Sequence, residues 1–143
     1  MSNYRKTEKT LYSYPSICVS IKNMEQELAE IGAAHEITVT AVDYAKVMVD
    51  TCGGMGFVES YVLDFERQRE DLVKRIEKAK SIMQKIDRSL GVLPEKEKQV
   101  IEMRYFEGLS WDEVATKTAY TDRHCRRLKR LAIDKILIAM YGI

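Results

Sequence analysis

Apolar residues in this chain fall on two long helical seams. Ile17, Ile21, Met24, Leu28 and Ile31 step by 4, 3, 4 and 3 after Tyr14-Pro15, the a/d spacing of a helix that packs along another helix. Proline suits a first helical turn, where its missing N–H would be unpaired anyway, so the spacing predicts a helix starting at Pro15. Gly32 is placed to end it. From Ala33 to Gly56 the pattern weakens: Ile37-Thr38-Val39-Thr40 is β-branched and admits an extended segment, and Ala41 to Val49 admits a short helix. Cys52-Gly53-Gly54-Met55-Gly56 predicts a loop or hinge. The second seam is Val58, Val62, Phe65, Leu72, Ile76, Ala79, Met83, Ile86 and Leu90, with only Arg69 out of pattern and Glu, Arg, Lys, Asp and Gln filling the rest. That is the surface of a coiled coil. The two seams can close on each other as an antiparallel hairpin, or either can pair with a second copy of the chain.

Gly91-Val92-Leu93-Pro94 ends the second seam and opens a different pattern. Pro94 starts a helix with Glu95 and Glu97 in its first turn, where negative charge meets the positive helix end. Val100, Ile101 and Tyr105, with Met103 beside them, supply its buried face, and Gly108 ends it. Ser110-Trp111-Asp112-Glu113 has the spacing of a capping box. A short helix therefore runs from Ser110 to about Thr118 with Val114 and Ala115 inward. Thr121 then caps a further helix whose first turn holds Asp122. Two short capped helices so close together have the spacing of a helix-turn-helix. The expected fold is all-α, with a helical arm over 1–92, broken near 52–56, and a helix-turn-helix over 93–143.

Composition narrows the class. The chain has 143 residues, 45% hydrophobic and 31% charged, which is too apolar for disorder and too charged for a membrane protein. No apolar run nears the roughly 18 residues of a membrane span. The first residues lack an apolar signal core, which leads to the expectation of a cytoplasmic protein. Cys18, Cys52 and Cys125 are far apart and without a Cys-x-x-Cys pair, which argues for reduced thiols and against a zinc site. Net charge is only +1, yet residues 121–135 hold Arg123, Arg126, Arg127, Lys129, Arg130 and Lys135 against Asp122 and Asp134. A local basic patch is what phosphate binding requires.

The last helix sorts its own faces. On a wheel of about 100° per residue with Cys125 at zero, Ala132, Ile136, Leu128 and Ile133 cluster around Cys125 as the core face. Arg126, Arg130, Arg123 and Arg127 lie at about 100°, 140°, 160° and 200°, opposite that core. Arginine both reads guanine edges bidentately in the major groove and clamps phosphates, so this face suits duplex DNA. His124, in the first turn, is a further candidate for a base-edge or phosphate contact. Lys129 falls towards the core side and reads as a snorkelling residue. Trp111 reads as a lid on the small domain's core in preference to a base-stacking residue. Cys125 reads as a small buried hydrophobe, and His35 beside Glu36 as surface. There is no phosphate-binding Gly-x-x-x-x-Gly-Lys-Ser/Thr, dinucleotide fingerprint, His-Glu-x-x-His or Gly-x-Ser-x-Gly. The expectation is a protein without catalytic residues, cofactor or metal.

The run Leu93-Pro94-Glu95-Lys96-Glu97-Lys98-Gln99-Val100-Ile101-Glu102-Met103-Arg104-Tyr105-Phe106-Glu107-Gly108-Leu109-Ser110-Trp111-Asp112-Glu113-Val114-Ala115 resembles the opening of the region 4 domain of bacterial sigma factors, which binds the promoter −35 element. The resemblance spans roughly 93–137. It implies that the helix after Thr121 is the recognition helix, and that Thr121, Arg123, His124, Arg126, Arg127 and Arg130 meet DNA. Asp122 departs from the pattern, which has a basic or small residue there. Residues 1–92 lack the basic, aromatic-rich helix that a whole sigma factor uses on the −10 element. The order of Tyr12-Ser13-Tyr14-Pro15, a seamed helix, a Gly-rich break, a long helix and a sigma-like module is similar to the RinA/ArpU class of late-gene regulators of phages and prophages.

The reading that follows is a phage-type transcriptional regulator, acting on promoter DNA with RNA polymerase in the bacterial cytoplasm and nucleoid, with the arm making a homodimer or touching polymerase. Two rivals stand beside it. A phage small terminase subunit also joins a helix-turn-helix to coiled-coil helices, and an adaptor would dock on RNA polymerase with DNA contact incidental.

Overall fold

The computed structural model describes residues 2–49 and 56–142, with side chains except those of His35, 38–49 and 56–62. The chain is all-α. The helices are α1 (Asn3–Val49), α2 (Gly56–Gly91), α3 (Glu95–Ile101), which runs on as a π-helical turn over Glu102–Phe106, α4 (Trp111–Thr118) and α5 (Asp122–Tyr141). No strand occurs among the described residues.

Contacts divide the chain into two units, 1–18 with 81–143, and 19–80. In the unit 19–80, Ile21, Leu72 and Ile76 are buried, Phe65 and Ala79 are half-buried, and Arg69 is exposed. Glu25 meets Lys80 at 2.7 Å, and Ile31 and Gly32 face Phe65, Glu66 and Arg69 across a small groove. As the numbers on one helix rise those on the other fall, so the α1 and α2 segments of this unit run antiparallel.

Three local expectations are corrected in α1. The helix begins at Asn3, and Pro15 lies inside it. Proline removes one i→i−4 bond, a cost of about 3 kcal/mol for an isolated helix, and here the turns before it are fixed by packing that buries Thr7 and Leu11 completely. Gly32 does not stop the helix. With no Cβ it weakens a helix by about 1 kcal/mol, a small cost for a long helix in which Met24, Leu28 and Ile31 before it are half-buried. Ile37-Thr38-Val39-Thr40 is helical and not extended, and α1 continues without interruption to Val49; β-branching lowers helix propensity only slightly. The expected break near 52–56 falls on residues outside those described, except Gly56, which opens α2.

The unit 1–18 with 81–143 is built on two apolar clusters. The larger joins Leu11 of α1, Ile86 and Leu90 of α2, Leu93, Ile101 of α3, Tyr105, and Ala132, Ile133, Ile136 and Met140 of α5. The smaller joins Val100, Val114, Cys125 and Leu128, with Met103, Leu109, Trp111, Ala115 and Tyr120 packed around it. The wheel drawn for α5 therefore has its core face as expected: Cys125, Ala132, Ile133 and Ile136 are fully buried. Residues 3–14, which carry no seam of their own in the sequence, supply helical cover for this core. Tyr14 donates to the Asp87 carboxylate at 2.5 Å, and the ring of Tyr14 stacks on Phe106.

Candidate nucleic-acid interface

The helix pair α4–α5 owes its geometry to its caps. Ser110 accepts the Glu113 amide at 3.2 Å while the Glu113 carboxylate accepts the Ser110 amide at 2.9 Å, the reciprocal capping box expected of the sequence. α4 ends at Ala119, a non-glycine residue in the left-handed region at φ 59°. That turn aims the chain at Thr121, whose hydroxyl accepts the His124 amide at 3.2 Å and starts α5. Upstream, the π-helical turn closes with the Glu107 amide on the Glu102 carbonyl at 3.0 Å. Gly108, at φ 71°, then reverses the chain towards Ser110.

With one face of α5 buried, its opposite face is free. Thr121, Arg123, His124, Arg126, Arg127 and Arg130 are all exposed. His124 sets its ring edge to face against Tyr120 at 5.0 Å. Among the described residues no carboxylate lies within ion-pair reach of Arg123, Arg127 or Arg130. Arg126 differs: its Nε lies 3.3 Å from Asp122 Oδ2 and 3.4 Å from Oδ1, and its guanidinium stands 5.7 Å from the centre of the Trp111 ring. The spacing i, i+4 carried the signal for the Asp122 pair. Nothing in the sequence carried the Trp111 contact, which joins α4 to α5.

Trp111 is a half-buried lid on the smaller cluster, as expected, and it is also a platform for cations. Arg104 lies 4.9 Å and Lys129 5.9 Å from its ring centre, and Arg104 is fixed by donating to the Leu109 carbonyl at 2.9 Å. Lys129 turns away from the arginine face: its Nζ pairs with Glu8 of α1 at 3.1 Å, with both side chains about three-quarters buried. Glu8 also accepts the Tyr105 hydroxyl at 2.8 Å. Burial first, and the Glu8 carboxylate second, push the Tyr105 phenol well above its ordinary range. Beneath α5, Lys135 donates to both oxygens of the buried Glu97 at 2.9 and 3.1 Å, tying α5 to α3. Sequence reasoning missed Arg104, which bonds a turn carbonyl and meets Trp111 of α4, and Glu8 and the Glu97–Lys135 pair, whose partners are distant in sequence.

Other chemistry is sparse. Cys18 is half-buried and Cys125 buried, both free thiols, with Thr118 Oγ1 3.6 Å from Cys125 Sγ; Cys52 lies outside the described residues, as does the side chain of His35. Among the described residues no group of His, Cys, Asp and Glu gathers to hold a metal ion. None of their helices is long and apolar enough to cross a membrane.

No curated protein and no solved structure matches the chain. Residues 89–136 match the family Sigma-70, region 4. The matched span takes in the end of α2, then α3, α4 and α5 as far as Ile136, and so contains both caps and the whole arginine face. Over residues 89–136 the chain is thus similar to the helix-turn-helix of sigma region 4, a DNA-binding module.

Proposed function

We propose that the chain is a transcriptional regulator of the phage and prophage type, akin to the RinA/ArpU class, that binds promoter DNA through residues 93–143 and acts with RNA polymerase. One observation carries this reading: α5 exposes Arg123, Arg126, Arg127 and Arg130 on the face opposite its buried one, within a sigma region 4-like module. In such modules the recognition helix enters the major groove. Thr121, Arg123, His124, Arg126, Arg127 and Arg130 are the residues assigned to DNA. The arm over 1–92 supports dimerisation, a role favoured by Val19, Ile37 and Leu63, exposed by 56, 71 and 60%. A protein with these partners works in the bacterial cytoplasm, on the nucleoid, and needs no catalytic residue or cofactor.

The test is binding of the purified chain to duplex DNA over a range of salt. Arg127→Ala should weaken binding and lower the log–log salt slope by about one, the loss of one phosphate contact. An unchanged affinity and slope would sink the assignment of this face. Footprinting with and without RNA polymerase then separates the readings. Protection beside a promoter, extended by polymerase, supports the regulator. Protection inside a packaging gene, indifferent to polymerase and made by a closed ring of subunits, is the outcome of a small terminase subunit. Polymerase binding that survives loss of the arginines is that of an adaptor.

A further inference from the structure

The four arginines of α5 are not equivalent in their surroundings. Arg123, Arg127 and Arg130 stand exposed with no ion-pair partner among the described residues. Long side chains in that state follow a phosphate wherever it lies, which gives affinity without reading sequence. Arg126 is held twice. Asp122, one turn earlier on the same helix, takes its Nε from one side at 3.3 and 3.4 Å. Trp111, from α4, lies against its guanidinium at 5.7 Å from the ring centre. Both contacts leave the two terminal nitrogens unused, and these form the parallel donor fork that matches guanine O6 and N7.

Resting on the DNA-binding reading above, we propose that Arg126 is the specificity-determining residue of α5, reading a guanine in the major groove, and that Asp122 is its positioning residue. The physical argument is pre-organisation. Fixing a guanidinium before binding removes much of the rotamer entropy otherwise lost on contact, and a planar fork held in one plane discriminates where a mobile cation does not. The acidic side chain also needs a reason to stand beside a phosphate-rich ligand, where its charge opposes binding. Orienting Arg126 supplies one.

The experiment selects duplexes from a randomised pool with the purified full-length chain and with Arg126→Lys, Asp122→Asn and Arg127→Lys, each checked for an unchanged thermal unfolding midpoint. The wild-type chain should select a guanine at one position. Arg126→Lys keeps the charge and loses the fork, so the preference at that position should fall roughly five- to hundredfold while the salt slope holds. Asp122→Asn should relax the same position, and Arg127→Lys should leave every preference intact. If Arg126→Lys keeps the guanine preference, or if Asp122→Asn relaxes a different position, the proposal is wrong. A wild-type chain that binds no DNA overturns the functional reading itself, whereas sequence-blind DNA binding overturns only the assignment of Arg126.

Discussion

Glu8, Tyr105 and Lys129 show how a polar group is kept under an apolar core. The Glu8 carboxylate takes the Tyr105 hydroxyl at 2.8 Å and Lys129 Nζ at 3.1 Å, so a charge about three-quarters buried is satisfied on two sides. Tyr105→Phe should cost about 1–2 kcal/mol at neutral pH, and its main signature should appear in alkali. A free tyrosine ionises near pH 10.0, and in the folded chain the phenols of Tyr105 and Tyr14 are raised above that, Tyr105 chiefly by burial and Tyr14 chiefly by its bond to Asp87. Above about pH 10 the unfolded chain therefore releases protons that the folded chain holds. Stability present below that pH should decline as pH rises beyond it, and the decline in urea midpoint should be shallower in Tyr105→Phe. An equal slope in both proteins would contradict this linkage. The Glu97–Lys135 pair makes a second residue-scale prediction. Glu97 is 7% exposed and Lys135 44%, so Lys135→Met strands a buried carboxylate and should destabilise by about 1–3 kcal/mol. The double variant with Glu97→Met should regain part of that loss in chemical denaturation, as removal of one partner costs more than removal of both.

Among the elements, caps and seams were legible in the sequence and helix lengths were not. Ser110, Glu113 and Thr121 announce the starts of α4 and α5 because capping is local chemistry, complete within four residues. The buried face of α5 was equally legible, since its 3.6-residue period needs no knowledge of a partner. Pro15 and Gly32 misled for the converse reason. They mark helix ends by preference alone, and packing outweighs that preference where the buried Leu11 precedes Pro15 and the half-buried Leu28 and Ile31 precede Gly32. The π-helical turn and the left-handed Ala119 had no sequence signal, as neither residue type favours what it does. Ala119 offers a test at this scale. An alanine at φ 59° is strained relative to glycine by about 1 kcal/mol, so Ala119→Gly should raise the unfolding midpoint. A lower midpoint would mean that the methyl group contributes more to packing than the backbone loses.

For the molecule as a whole, the compact unit that carries the sigma region 4-like module also contains residues 1–18. Leu11 is fully buried in the cluster shared by α2, α3 and α5, although it lies far from them in sequence. Leu11→Ala should cost about 2–5 kcal/mol. Trp111 is the chain's one tryptophan, so its fluorescence reports unfolding of this unit directly. A urea transition unmoved by Leu11→Ala would show that α1 only rests against the module. A sequence read by segments misses this dependence, because Leu11 has no seam around it and its partners declare themselves only in space.

The docking of Glu8 onto Tyr105 across 97 residues also sets an order of events during synthesis. The first turns of α1 leave the ribosome long before α5 exists, and Leu11 must wait for Ala132, Ile133, Ile136 and Met140 of the last helix to complete its cluster. Closing so long a loop is slow compared with forming either helix. The nascent chain therefore passes through an interval in which the first turns of α1 lack the helices they pack on, and a chaperone or a second nascent copy has its opportunity then.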